Sequence, residues 1–115
     1  MTRVMIKEHP IPLILKGFGR YEVEIAGHVV RKDPEKNDAC VAASILTQTL
    51  VQTLRDHEKD FVEYKDAIKD DAYAYMLICT DEHTDEFVRS LLVYIKTGFQ
   101  MLEESFPGDF QITMM

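Results

Sequence analysis

At 115 residues, 46% of them hydrophobic and 29% charged, the chain has the length of a single domain, residues 1–115, with enough apolar material for a core without disulfide staples. Thirteen basic against twenty acidic side chains leave a net charge of −7. That balance argues against sequence-independent binding to nucleic acid, whose phosphates require Lys and Arg, and favours a basic protein partner.

The first residues, Met1 to Glu8, lack the apolar stretch of a signal peptide, and no apolar run reaches membrane-spanning length, so a soluble cytoplasmic protein without a membrane association is expected. Thr2 to Lys7 reads as a short strand. His9-Pro10-Ile11-Pro12 imposes an irregular extended path, and Leu13-Ile14-Leu15 is a further short strand candidate. Gly17-Phe18-Gly19 reads as a turn. After it, Tyr21, Val23 and Ile25 alternate with Glu22 and Glu24, the pattern of a strand with one buried and one wet face, ending at Gly27-His28.

Val29 to Asn37 is polar and charged and is expected to be a surface loop, with a helix from about Asp38 to the neighbourhood of His57. At 100° per residue, Ala39, Ala42, Ala43, Leu46, Leu50 and Leu54 fall on one core-facing arc. Cys40, Ser44 and Val51 lie at its margin, and Val41 and Ile45 form a separate apolar patch. Two strands, Phe61 to Ala67 and Ala72 to Cys79, are expected around a turn at Lys69-Asp70-Asp71. From Thr84 to Ser105 an apolar half-circle of Phe87, Val88, Leu91, Leu92, Tyr94, Ile95, Phe99 and Leu102 opposes Arg89, Lys96, Gln100 and Glu104, which predicts a second helix. Phe106-Pro107-Gly108 stops it, and Phe110 to Met114 alternates as a last strand. The order β-β-α-β-β-α-β predicts an α+β domain in which two amphipathic helices cover one face of a small mixed sheet.

Chemistry centres on His28 and Cys40. The expected fold brings the strand exit carrying His28 and the helix start carrying Cys40 to the same end of the sheet. In the first turn of a helix, N–H groups without intrahelical partners and the positive end of the macrodipole favour a thiolate and can hold an oxyanion. A neighbouring histidine would carry the thiol proton. Asp38, as an N-cap, would order the helix while its charge opposes thiolate formation. On residues alone the bland reading stays open, with Cys40 a small core residue and His28 a surface one.

Cys79 and His83 with Asp81, Glu82 and Asp85 are of metal-ligand type, but the acids more simply serve the following helix, and no metal is expected. His9 and His57 read as a loop and a solvated residue. Gly17-Phe18-Gly19 matches no phosphate-binding fingerprint, no GxSxG elbow occurs, and two cysteines outside any CxxC pair suggest neither a disulfide framework nor structural zinc.

Gly27-His28-Val29 and Asp38-Ala39-Cys40-Val41-Ala42-Ala43-Ser44 resemble the motif of the ribosomal-processing cysteine proteases, the Prp family: a strand ending in Gly-His, a loop, then Asp-x-x-Cys-Ala-Ala-x-Ser opening a helix. Leu46-Thr47-Gln48-Thr49-Leu50 is also family-like. The sequence departs from the pattern at Val29, where alanine is usual, at Asn37, where the aspartate stands one place later as Asp38, and in Cys-Val-Ala-Ala. Residues between Glu8 and Gly19 resemble an insertion in the first hairpin. The resemblance implies a cytoplasmic, homodimeric cysteine endopeptidase with a Cys40–His28 dyad; in the mechanism expected from it, Ser44 and Asp38 support the site, the loop from Val30 to Asn37 lies over the pocket and orders around the peptide, and no cofactor is needed. Its implied substrate is the basic precursor of a large-subunit ribosomal protein, from which it would remove an N-terminal extension. The rival expectation is a non-catalytic peptide- or protein-binding module of the same fold.

Overall fold

The structure, a computed structural model, describes residues 1–11, 18–27, 35–69 and 73–115, the side chains of 35–37 excepted. The strands are β1 (Thr2–Glu8), β2 (Gly19–Ala26), β3 (Glu63–Lys69), β4 (Tyr73–Thr80) and β5 (Phe110–Met114). Helix α1 (Glu35–Asp56) lies between β2 and β3, and α2 (Asp85–Ser105) between β4 and β5. The α+β order read from the sequence is the one observed. The proposed strand at Leu13 to Leu15, the turn residues Asp70 and Asp71, and the loop from Val29 to Pro34 fall outside the described residues.

The sheet runs β3-β4-β2-β1-β5. Neighbours pair antiparallel except β1 and β5, which are parallel, so the sheet is mixed. Because β2 and β3 both run antiparallel to β4, they are parallel to each other, and α1 is the crossover that parallel strands require. Helix α2 does the same from β4 to β5 across two intervening strands.

Strand alternation sets the two faces of the sheet. Val4, Ile6, Val23, Ile25, Ala74, Met76 and Ile78 share the inner face with Phe110 and are all buried. Against them α1 sets Ala39, Ala43, Leu50, Val51 and Leu54, and α2 sets Val88, Leu92, Ile95 and Phe99, whose ring lies 6.1 Å from that of Phe110. The helices touch where Gly98 leaves room for Leu46: a Cβ there would lie 3.0 Å from a Leu46 methyl. The opposite face carries Lys7, Glu22, Glu24, Lys65 and Tyr75; among the described residues only Leu77, between Glu22 and Lys65 in register, is closed off from solvent there. Among the described residues no helix is long and apolar enough to cross a membrane.

Several sequence expectations need correction. Helix α1 begins at Glu35, three residues before the expected start at Asp38. Pro34-Glu35 is itself a helix-start signal, and the charged composition of the segment obscured it. Asp38 is therefore not an N-cap but an exposed residue of the first turn, favourably placed near the helix's positive end. Phe87 and Tyr94, counted in the apolar half-circle of α2, are 39% and 73% exposed, so the buried stripe is narrower than the periodicity suggests. Gly19 is the first residue of β2 rather than part of a turn.

Candidate active site

Cys40 is the sixth residue of α1 and so lies in its second turn, not its first. At that depth a helical N–H is engaged by the carbonyl four residues earlier, and the macrodipole has largely faded. The expectation that Cys40 itself borders unpartnered helix amides is thereby corrected; those of α1 belong to Glu35 through Asp38. The side chain is half-buried at the margin of the core and lines an open cleft of about 530 Å³.

That cleft is built where several elements end. Thr2 from the start of β1, Ile25 and Gly27 from the end of β2, Ile68 from the end of β3, and Tyr73 and Ala74 from the start of β4 form its floor and one wall. The other wall is α1, with Cys40, Val41, Ser44, Ile45, Thr47 and Gln48. Cys40 and Ser44, one turn apart on the helix, both face into it, while Val41 and Ile45 are each 58% exposed at its rim.

Gly27 has a physical reason for its identity. Its φ is +97°, and a Cβ there would lie 2.3 Å from the Met1 carbonyl oxygen. Thr2 donates a hydroxyl hydrogen bond of 3.4 Å to the Gly27 carbonyl, tying the end of β2 to the start of β1. The residue preceding His28 therefore lines the same cleft as Cys40. His28 itself lies outside the described residues.

The other titratable candidates are placed elsewhere. Cys79 faces the open side of the sheet, where burial first and Glu63 second push its thiol up; its Sγ lies 3.9 Å from the Glu63 carboxylate. No disulfide involves either cysteine. Asp81 accepts hydrogen bonds from the backbone N–H groups of His83 and Thr84 and from the Thr84 hydroxyl, and so organises the turn entering α2. Glu82 is exposed and lies 3.6 Å from His83. Among the described residues no three His, Cys, Asp or Glu side chains converge as a metal would need. His57 pairs with Asp60 and meets the Phe87 ring in a tilted contact at 4.9 Å, and His9 pairs with Glu22.

Asp85 turns inward from the first turn of α2. One carboxylate oxygen accepts hydrogen bonds from Tyr21 (2.6 Å) and Thr80 (2.7 Å), and the other accepts one from Arg89 (2.8 Å). Burial raises this carboxyl, but the three hydrogen bonds outweigh it and hold Asp85 below the usual carboxylate range. Arg89 also pairs with Glu8 and covers the Tyr21 ring at 5.5 Å. Gly19 makes room for this cluster, since a Cβ there would meet both Asp85 and Tyr21. The cluster sits at the end of the sheet away from Cys40, and sequence reasoning missed it because its members are scattered from Glu8 to Arg89.

Sequence reasoning also missed the cleft residues Thr2, Ile25, Ile68 and Tyr73. Their alternation identified strands, but which strand ends meet α1 depends on the strand order.

No family model and no curated protein matches the chain. Solved structures do. The whole chain superposes on SMU.848 from Streptococcus mutans with a TM-score of 0.64 and 24% identity, covering 94% of that chain. It also superposes over the full length of both chains on the essential ribosomal processing protease Prp from S. aureus: in complex with a substrate peptide at a TM-score of 0.68 and 16% identity, and with a covalently linked product peptide at 0.68 and 17%. At these identities the likeness is one of architecture, and the fold of this chain is that of the Prp ribosomal processing protease.

Proposed function

We propose that this chain is a cysteine endopeptidase that removes the N-terminal extension of a basic large-subunit ribosomal protein, working in the cytoplasm as a homodimer. The carrying observation is that Cys40 and Gly27, the neighbour of His28, line one open cleft in a fold shared end to end with a protease crystallised on its substrate peptide. In this reading the Cys40 sulfur attacks the scissile carbonyl carbon as His28 takes the thiol proton. The tetrahedral oxyanion collapses to a thioester, and His28 passes the proton to the departing amine. Water activated by His28 then hydrolyses the thioester and restores the thiol.

Oxyanion donors come from backbone N–H groups near the cleft. Ser44, facing the cleft one turn from Cys40, supports the site by hydrogen bonding, and Asp38 contributes through the first turn of α1. No cofactor enters the scheme.

The test is mass spectrometry of an extended ribosomal-protein precursor incubated with the wild-type chain or with Cys40→Ala. Truncated product from wild type alone is the expected result, with a loss of at least about 10³-fold in the variant. Equal product from both removes Cys40 from the chemistry. Tight binding of the precursor by wild type without product would identify a non-catalytic peptide-binding module instead.

A further inference from the structure

Beside the Cys40 cleft lies a second cleft of about 570 Å³, which follows α1 from Thr47 to Arg55. The two are contiguous: Thr47, Gln48 and Ile68 line both. Ile68 comes from the edge strand β3 on the helix-covered side of the sheet and is 45% exposed, so it stands as an uncovered apolar surface opposite the helix. Among the described residues lining either cleft, Arg55 alone is ordinarily charged at neutral pH, and Asp66 neutralises it through hydrogen bonds of 2.7 and 3.0 Å. The hydroxyls of Thr47 and Thr53 are turned back onto helix carbonyls, at 2.8 and 2.7 Å. The groove thus runs along α1 and is electrically neutral in a chain of net charge −7.

We infer that the two clefts form one groove in which an extended stretch of substrate lies along α1, with Ile68 and Gln48 selecting an uncharged side chain at a fixed distance from the scissile bond. This rests on the reading of Cys40 as the nucleophile. The distance follows from geometry. Eight helical residues separate Cys40 from Gln48, a rise of about 12 Å, which an extended peptide covers in about three or four residues. Gln52 stands about 18 Å from Cys40, the span of about five extended residues, and the groove continues to Arg55. A charged side chain opposite Ile68 would lose hydration without gaining a partner. Acidic charge on the rest of the molecule gathers a basic protein, and the groove selects a neutral segment within it.

The experiment uses peptides spanning the precursor's cleavage site, each with Ala, Leu, Lys or Glu at one position from the second to the fifth on either side of the bond. With wild type, Lys or Glu at the third or fourth position on one side is expected to raise KM at least tenfold and leave kcat within about twofold. With Ile68→Glu the Lys peptide is expected to regain at least tenfold in kcat/KM; Ile68→Thr, which keeps the site neutral, should retain the wild-type preference. Tolerance of charge at all these positions, or an Ile68→Glu profile identical to wild type, overturns the inference. The same peptides titrated against Cys40→Ala by fluorescence anisotropy give a readout independent of turnover. The charge penalty in Kd is expected there even if wild type cleaves nothing, a result that would count against the protease reading and not the groove; affinities insensitive to charge would overturn the groove alone.

Discussion

Gly27 shows how a single residue can hold the candidate site in shape. Its positive φ excludes most side chains, and its contact with the Met1 carbonyl excludes even a methyl group. Gly27→Ala is expected to destabilise the fold by about 2 kcal/mol, combining the left-handed backbone penalty with the steric clash. The check is the urea midpoint, and an unchanged midpoint would show that the end of β2 readjusts freely. Activity should fall further than stability does, because the shift occurs on the wall of the cleft that Cys40 faces.

At this scale residue type could be read in advance and residue purpose could not. Cys40 was singled out as a candidate by the family-like stretch around it rather than by its spacing to His28, and the structure sets it on the wall of a cleft. The reason for glycine at 27 lies in Met1, twenty-six residues away, and no local pattern reports such a contact. Gly19 is similar: composition made it a turn residue, whereas its lack of a side chain admits the Asp85 carboxylate, sixty-six residues later.

Among the elements, α2 was legible over nearly its whole length because its apolar stripe repeats for about four turns and is followed by clear stop residues. Its N-terminal chemistry was not. Asp85 was expected to serve the helix end alone, but it also pins α2 to β2 and β4 through Tyr21 and Thr80. Helix α1 was legible in its core face and not in its start, and the three-residue difference moves Cys40 from the first turn to the second. For the proposed mechanism this means that an oxyanion donor would come from neighbouring backbone rather than from the Cys40 amide, which lies past the first turn.

The Asp85 cluster makes a prediction in pH. Its carboxyl is held below its unfolded value, so it contributes stability above the unfolded pKa of about 4, and that contribution disappears as pH falls through the lower folded value. Asp85→Asn is expected to cost about 2 kcal/mol at pH 7, since Arg89 and the two hydroxyls lose a charged acceptor. The gap between variant and wild type should narrow progressively below pH 4, measured by denaturant unfolding at a series of pH values. A gap that stays constant down to pH 2 would mean that the carboxylate charge is not what secures α2.

For the whole molecule, element order and fold class followed from periodicity, since each helix and strand buries one face and the alternation of types implies a layered α+β domain. The strand order did not follow. Nothing local sets β5 beside β1 in parallel, or β4 between β3 and β2; these pairings depend on how both crossovers close over the sheet. The floor of the cleft is a product of that order, which places the ends of β2 and β3 and the starts of β1 and β4 at one rim under α1.

Net charge, also legible from the outset, bears on the proposed capture of a basic precursor. A chain of −7 should draw a basic precursor over distances comparable to the Debye length, about 10 Å at 0.1 M salt, whereas a neutral groove gains nothing from that field. Raising salt from 50 to 500 mM is therefore expected to lower kcat/KM for the full precursor by roughly three- to tenfold, chiefly through association. A short uncharged peptide spanning the same bond should be cleaved at a nearly constant rate across that range. The comparison separates long-range attraction from selection in the groove, because only the first is screened. Equal salt dependence for precursor and peptide would locate the effect in the chemistry or the fold, and a flat profile for both would remove the acidic balance from substrate capture.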